Sequence, residues 1–203
     1  MPGSAEPFVT GLVLAAGGSR RLGEPKQLLR YGSATLLDHV LGTARVSGFD
    51  QLVVALGGSS ERVRDGVDLS GADVVLNRDY GEGCSSSIAA ALGAIDSRAS
   101  ALVLMLGDQP GVTPETVRAL VAGRGSGTRM AVCRYDDGRG HPLAFGSEMF
   151  AELAALHGDK AVWKLMDRLG DEVVEVPIAG PVPLDVDTRE DYEAVLAASG
   201  LAS

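Results

Sequence analysis

The sequence is short of positive charge, of cysteine and of any long apolar run, and each shortage closes off a class of function. Lysine and arginine together number 18 against 27 aspartates and glutamates, a formal charge of −9. A surface of that sign repels polyanions, so no nucleic acid and no anionic membrane is expected as a partner. The two cysteines, Cys84 and Cys133, lie far apart and form neither a CxxC pair nor a Cys/His metal spacing. They read as free thiols in a reducing compartment. The N-terminus lacks a basic n-region followed by a long apolar stretch, and no run is long enough to span a bilayer. The expected location is cytoplasmic. No repeat, low-complexity tract or linker divides the chain.

What remains is ordinary globular composition, 45% hydrophobic and 22% charged over 203 residues. A chain of this size buries a sizeable core without staples. A single domain over residues 1–203 is expected, with 1–7 as a flexible leader. Short valine-rich runs read as strands at Phe8–Ala16, Leu52–Leu56, Asp73–Leu76, Ala101–Leu106, Met130–Arg134, Pro142–Phe145 and Glu172–Val176. Helical spacing is found over Thr35–Val46, Ser85–Ile95, Pro114–Val121, Ser147–Leu156, Lys160–Leu169 and Thr188–Ala198. Thr113, Pro114 and Glu115 form a good helix start. Strands alternating with helices imply parallel pairing, hence an α/β fold built as a three-layer α/β/α sandwich with a mostly parallel sheet. Ligands of such sheets bind beyond the carboxyl ends of the strands. The loops Gly17–Lys26, Asn77–Ser87 and Gly107–Pro110 each follow a strand, so they are expected to share one edge.

The first of these loops breaks an apolar strand with Gly17-Gly18-Ser19-Arg20-Arg21 and reaches a lysine at Lys26. A glycine-rich turn after a strand exposes backbone N–H groups that can cradle phosphate oxygens. Arg21 adds a forked cation and Lys26 a mobile point charge. The spacing is not the P-loop's GxxxxGK, since Glu24 follows Gly23, and it is not GxGxxG, since Ser19 stands at the second glycine. A basic surface turn is the lesser alternative reading of this loop by itself.

Asp108 follows a strand, and Asp185 and Asp187 alternate, so in an extended chain they share a face. Carboxylates beside phosphates suit Mg²⁺, a hard cation held by one or two protein oxygens and by substrate. Taken singly, Asp108 need only cap a turn and Asp187 need only begin the last helix; their coincidence with the glycine-rich loop favours the metal. Gly83–Ser87 leads into a helix and offers donors at its positive end, although Ser85 is equally readable as a plain N-cap. His141, in Gly140-His141-Pro142, and Trp163, at core spacing in its helix, read from chemistry alone as structural.

Leu14-Ala15-Ala16-Gly17-Gly18-Ser19-Arg20-Arg21-Leu22-Gly23-Glu24-Pro25-Lys26 resembles the LAAGxSxRMGxPK signature of the MobA-like nucleotidyltransferases, most nearly the molybdenum cofactor cytidylyltransferases. Leu22 stands where methionine is usual. "NRDYGEGCSSSIAAAL", "LGDQPGV", "GRGHPLAF" and "DVDTREDY" resemble further family segments in the same order, with Arg78 in place of a proline. After Gly158-Asp159, Trp163 takes the place of a familiar arginine, which leaves open what that arginine's partner does here.

The resemblance implies a Rossmann-like nucleotidyltransferase fold and transfer of a nucleoside monophosphate to a phosphorylated small-molecule acceptor. CTP is the implied donor, molybdopterin the implied acceptor and a molybdoenzyme or its maturation factor a further partner. It implies nucleotide binding by Leu14, Ala15, Ala16, Gly17, Gly18, Ser19, Arg21, Lys26, Asn77, Gly83 and Ser85. Catalysis would rest on Arg21, Lys26 and Asp108, with Mg²⁺ on Asp108 and on Asp187 or Asp185, and His141 on the acceptor side. Two rivals stand beside this reading. One is an oxidoreductase acting on a heteroaromatic substrate, against which the missing GxGxxG and the lack of a flavin motif count. The other is a non-catalytic carrier of the finished molybdenum cofactor, against which intact Arg21, Lys26 and Asp108 count.

Overall fold

The computed structural model describes residues 7–201; most of the expected leader, residues 1–6, lies outside them. Phe8–Ala15 forms β1, Arg30–Tyr31 β2, Ala34–Thr35 β3, Gln51–Leu56 β4, Asp73–Leu76 β5, Ala99–Leu106 β6, Met130–Arg134 β7, Arg139–Gly146 β8 and Val173–Pro177 β9. The helices are α1 (Leu36–Arg45), α2 (Ser60–Gly66), α3 (Cys84–Leu92), α4 (Pro114–Arg124), α5 (Phe150–Ala154), α6 (Ala161–Leu169) and α7 (Arg189–Ala198).

A seven-stranded sheet runs β5-β4-β1-β6-β8-β7-β9, with β2 and β3 forming a separate two-stranded ribbon. β1 pairs in parallel with β4 and β6, Val13 standing opposite Val54 on one side and Met105 on the other. Period-2 alternation sends successive side chains to opposite faces. Val13, Val54 and Met105 enter one core with Leu37, Val40, Val63, Val117 and Leu120. Leu12, Val53 and Leu104 enter the other with Ile88, Ala91, Leu153, Leu165 and Met166. The sheet is thus covered by α1, α2 and α4 on one side and α3, α5 and α6 on the other, giving the expected three layers.

Within the seven-stranded sheet, strict strand–helix alternation fails between β7 and β8. β7 and β8 follow each other across Tyr135–Gly138, where the Tyr135 N–H donates to the Gly138 carbonyl at 2.8 Å, and β8 runs antiparallel to both β6 and β7. A four-residue connection can only reverse the chain; a parallel return needs a crossover. α2 and the β2–β3 ribbon were not expected. The ribbon earns its place through Tyr31, which joins Leu29, Leu36, Val186, Tyr192 and Val195 in a third apolar cluster that fastens α7 to the rest. The stretch expected as one helix over Ser147–Leu156 is a tight turn at Ser147–Met149 followed by α5. No helix among the described residues is long and apolar enough to cross a membrane.

Candidate active site

Because β1, β4, β5 and β6 are parallel, their carboxyl ends open on one edge, and the loops after β1, β5 and β6 meet there in a cleft of about 530 Å³. Leu14, Ala15, Ala16, Gly17, Gly18, Ser19, Arg21, Lys26, Gly83, Asp108 and Asp187 all line it. The glycine-rich loop stays open because it is built that way. Ser19 adopts a left-handed φ of 47°. Its Oγ accepts the Lys26 N–H at 2.9 Å, and its carbonyl accepts from Leu22 and Gly23. Meanwhile the N–H groups of Gly17, Gly18, Ser19, Arg20 and Arg21 donate to nothing among the described residues, leaving a run of free amides. Gly57, at the end of β4, is required by close approach, since a Cβ there would stand 2.4 Å from the Ala16 carbonyl oxygen.

At the loop's far end Lys26 is the hub of the site. Its Nζ donates to Asp108 Oδ2 and, at 2.9 Å, to Asp187 Oδ1, while Arg21 Nη2 meets Asp187 Oδ2 at 2.7 Å. The Lys26 and Asp108 side chains are only 13% and 17% exposed, so this pair is shielded; Asp187 is at 44% and Arg21 at 66%. Burial alone would lower the Lys26 pKa, but the charges and hydrogen bonds of Asp108 and then Asp187 outweigh it and hold the ammonium above its ordinary value. The hydrogen bond from Lys26 draws Asp187 below the usual carboxylate range.

Asp187 reaches the site because of its backbone. The Val186 N–H donates to the Asp108 carbonyl at 3.1 Å, and Val186 is fully buried in the third cluster. Alternation then directs Asp185 and Asp187 to the opposite side. Thr188 and Asp191 fix the segment's end with a capping box at the start of α7. Asp185 does not line the cleft. Its carboxyl is pushed up to about 6, first by desolvation and then by the charge of Asp108; as a residue it is exposed, so solvent screens part of that effect.

No group of three or more His, Cys, Asp or Glu side chains gathers into a metal cage among the described residues. The donor set is a pair, and Asp108 and Asp187 both touch the one cation now between them. Two converging carboxylates with the remaining positions left to phosphate oxygens and water fit a Mg²⁺-like ion.

Three other expected residues stand elsewhere. Asn77 is buried behind the cleft, donating to Ser86 Oγ at 2.8 Å and Ser87 Oγ at 2.9 Å and accepting from the Asp79 N–H at 2.9 Å. It shapes the loop that leads into α3. Ser85 is 3% exposed and does not line the cleft, whereas Ser87 does. His141 lies on β8 outside the lining, edge-on to Trp163 with centroids 5.6 Å apart, and burial pushes its pKa down to about 4.

The cleft also holds residues that sequence reasoning missed. Tyr80 lies against the glycine floor, and a Cβ on Gly58 would stand 2.8 Å from its ring. The Gly57-Gly58 doublet was the available signal. Asp159 accepts the Cys84 N–H at 3.1 Å at the head of α3, and Gly83, at φ +104°, leaves room for it. Gln27 lies under the loop with no sequence signal beyond its place after Lys26.

The MobA-like NTP transferase domain model matches residues 11–173. The nicotine blue oxidoreductase of Paenarthrobacter nicotinovorans is 32% identical over 197 residues, covering 93% of this chain and 94% of that protein. Among solved structures, Rv0371c from Mycobacterium tuberculosis H37Rv superposes with a TM-score of 0.90 at 49% identity, over 96% of this chain and 100% of that one. A structure of Rv0371c in complex with manganese gives 0.85 at 47% identity, over 94% and 99%.

Proposed function

The chain belongs to the MobA-like NTP transferase family, and from that premise we propose that it transfers CMP from CTP to the terminal phosphate of molybdopterin, releasing pyrophosphate. We take residues 1–203 to act as one nucleotidyltransferase domain. The observation that carries the reading is the junction of the free amides of Gly17–Arg21 with the Lys26–Asp108–Asp187 hub in one cleft. An anion cradle beside a cation that shares two carboxylates suits a triphosphate more than a neutral ligand.

In the reaction a terminal phosphate oxygen of the acceptor forms a bond to the α-phosphorus. The bond to the β-phosphate oxygen breaks, and pyrophosphate leaves with that electron pair. The acceptor phosphate is already ionised near neutral pH, so no general base is needed. The amides of Gly17, Gly18 and Ser19 hold and orient the triphosphate, which is most of what such a transfer asks of a protein. Arg21, mostly exposed, follows the departing phosphates, and Lys26 places its ammonium against the α-phosphate. Asp108 and Asp187 would hold Mg²⁺ or Mn²⁺, which supplies positive charge against the phosphate oxygens. The manganese complex of the Rv0371c relative supports a divalent ion. The choice of cytosine and of molybdopterin rests on the sequence resemblance.

Pyrophosphate release with CTP, GTP, ATP and UTP in turn, with Mg²⁺ and molybdopterin supplied, tests the proposal. Release with CTP alone is the expected result. Release with another nucleotide keeps the class and changes the donor. The kinship with a nicotine blue oxidoreductase favours one second reading, an oxidoreductase acting on a heteroaromatic substrate. Absence of pyrophosphate release together with copurified flavin absorbance would favour it, whereas tight binding of molybdenum cofactor without release would favour a carrier.

A further inference from the structure

Gln27 is only 3% exposed, in the tight turn Lys26–Leu28 beneath the glycine-rich loop. Its Nε2 donates to the Ala15 carbonyl at 2.7 Å and to the Gly17 carbonyl at 3.2 Å. Its Oε1 is buried with no partner among the described residues. A buried amide that uses only half its hydrogen-bonding capacity is costly. Methionine or leucine would fill the same space without the orphaned oxygen. Either would also leave the Ala15 and Gly17 carbonyls without this donor, so the value of glutamine lies in the two carbonyls it holds.

Those carbonyls bracket the start of the cradle. In a planar trans peptide the C=O and the following N–H point in opposite directions. With the Gly17 carbonyl drawn toward Gln27, the Gly18 N–H is turned away from it, and that N–H is one of the free amides. The neighbouring residue completes the link, because the Lys26 N–H donates to Ser19 Oγ while its Nζ reaches Asp108. Two consecutive residues thus index the amide loop to the charged hub.

We propose that Gln27 is a positioning residue, which fixes the peptide planes of the Gly17–Ser19 loop so that its amides are preorganised for the polyphosphate. The inference rests on the reading of this loop as the triphosphate site. Preorganisation matters because donors fixed before binding cost no ordering when the charge arrives. A loop released from Gln27 would keep the same amides but would have to order them on each encounter.

The test is calorimetric binding of inorganic tripolyphosphate, which carries no base, to wild type, Gln27→Met and Gln27→Glu, with thermal unfolding and steady-state kinetics beside it. Both variants keep the shape; Met removes the donor, and Glu, when ionised, replaces it with an oxygen that repels the two carbonyls. Tripolyphosphate affinity is expected to fall about tenfold in Gln27→Met and further in Gln27→Glu. The KM for the donor triphosphate rises while that for the acceptor holds, and the Gln27→Met melting temperature stays within about 3 °C of wild type. Should one variant fail to fold, the other carries the same comparison. Tripolyphosphate binding equal to wild type in a folded variant overturns the inference alone. Equal rises in both KM values with a large fall in melting temperature also overturn it, since a merely structural residue behaves so. Failure of wild type to bind tripolyphosphate overturns the reading of the loop and the inference together.

Discussion

Two networks of charged side chains lie on opposite faces of their usefulness. In the cleft, Lys26 joins Asp108 and Asp187, with Arg21 on the far oxygen. Near the end of β9's approach, Arg129 joins Glu152 and Glu172, and Arg168 shares Glu152. Both join basic side chains to carboxylates at similar distances. The difference is in their surroundings. The Lys26–Asp108 pair is largely shielded and sits beside backbone amides that have no partner, whereas Arg168 and Glu172 are 65% and 57% exposed. Charges shielded from water interact more strongly and leave groups ready for a ligand; charges in water neutralise each other to little effect. A charge network becomes a site through what is left unsatisfied around it.

The sharpest test of that difference is Lys26→Met. Turnover is expected to fall roughly a hundredfold or more, as when a transition-state donor is removed, with a smaller loss in nucleotide affinity. Steady-state and binding measurements on the same variant check the split, and unchanged turnover with equal nucleotide binding would sink the role given to Lys26. The variant should also bind free Mn²⁺ more tightly, because both carboxylates lose the cation that competes for them. Its loss of stability has a defined pH dependence. Asp187 has its folded pKa depressed, so its contribution is present above the unfolded carboxylate value and is lost as pH falls through the folded one. Lys26 has its folded pKa raised, so its contribution is present below the ordinary lysine value and is lost as pH rises through the folded one. Wild type and Lys26→Met therefore differ most in melting temperature near neutrality, and the curves converge in strong acid and strong base.

The second-largest effect concerns the floor that keeps the cleft open. Gly57→Ala brings a methyl to within 2.4 Å of the Ala16 carbonyl, a backbone atom that cannot rotate aside. A cost of about 1–3 kcal/mol is expected from such overpacking, read by denaturant unfolding. The shift it forces falls on the phosphate loop, so donor KM should rise as well.

The two networks also differ in how legible they were. β1, β4, β6 and most of the helices are plain in the chain because long runs with one period have one reading, as Leu12 to Ala15 and Val53 to Leu56 do. The glycine-rich loop, Lys26 and Asp108 stand out because phosphate chemistry needs those residues in that order. Asp185 and Asp187 alternate and share a side, so neither their spacing nor the burial of Val186 separates them; only in the folded chain does Asp187 meet Lys26 and line the cleft while Asp185 does not. β8's direction was set by the brevity of the connection from β7. Asn77 illustrates the converse: a polar residue beside a motif can serve the loop's own hydrogen bonds, as it does for Ser86 and Ser87. Gln27 carried no signal because its partners, the Ala15 and Gly17 carbonyls, are invisible until the chain is folded, and Tyr80 had only the Gly57-Gly58 doublet to point to it.

A smaller effect is expected at Asp185. Its folded pKa, raised to about 6, means that this group's cost to stability builds as pH rises from the unfolded carboxylate value to about 6, is full above it and is absent below the unfolded range. Asp185→Asn should therefore raise the melting temperature at about pH 7.5 by only ~2–4 °C, since the exposed carboxylate is screened, and leave it unchanged near pH 3. A variant less stable at both values would show that the carboxylate is held by a partner rather than strained by its neighbours.

The smallest effect belongs to the surface network. Arg168 is 65% exposed and its only ion pair among the described residues, at 2.7 Å, is to Glu152, which keeps Arg129 at 2.6 Å. Removing Arg168 leaves Glu152 paired and in water, so nothing is stranded. Arg168→Ala should move the melting temperature by less than about 2 °C and leave turnover at wild type, with no change in its salt dependence. If Arg168→Ala lowered turnover instead, exposure and unsatisfied backbone groups would not be what separates the two networks, and the arginine face of α6 would have to be counted as part of the acceptor's path.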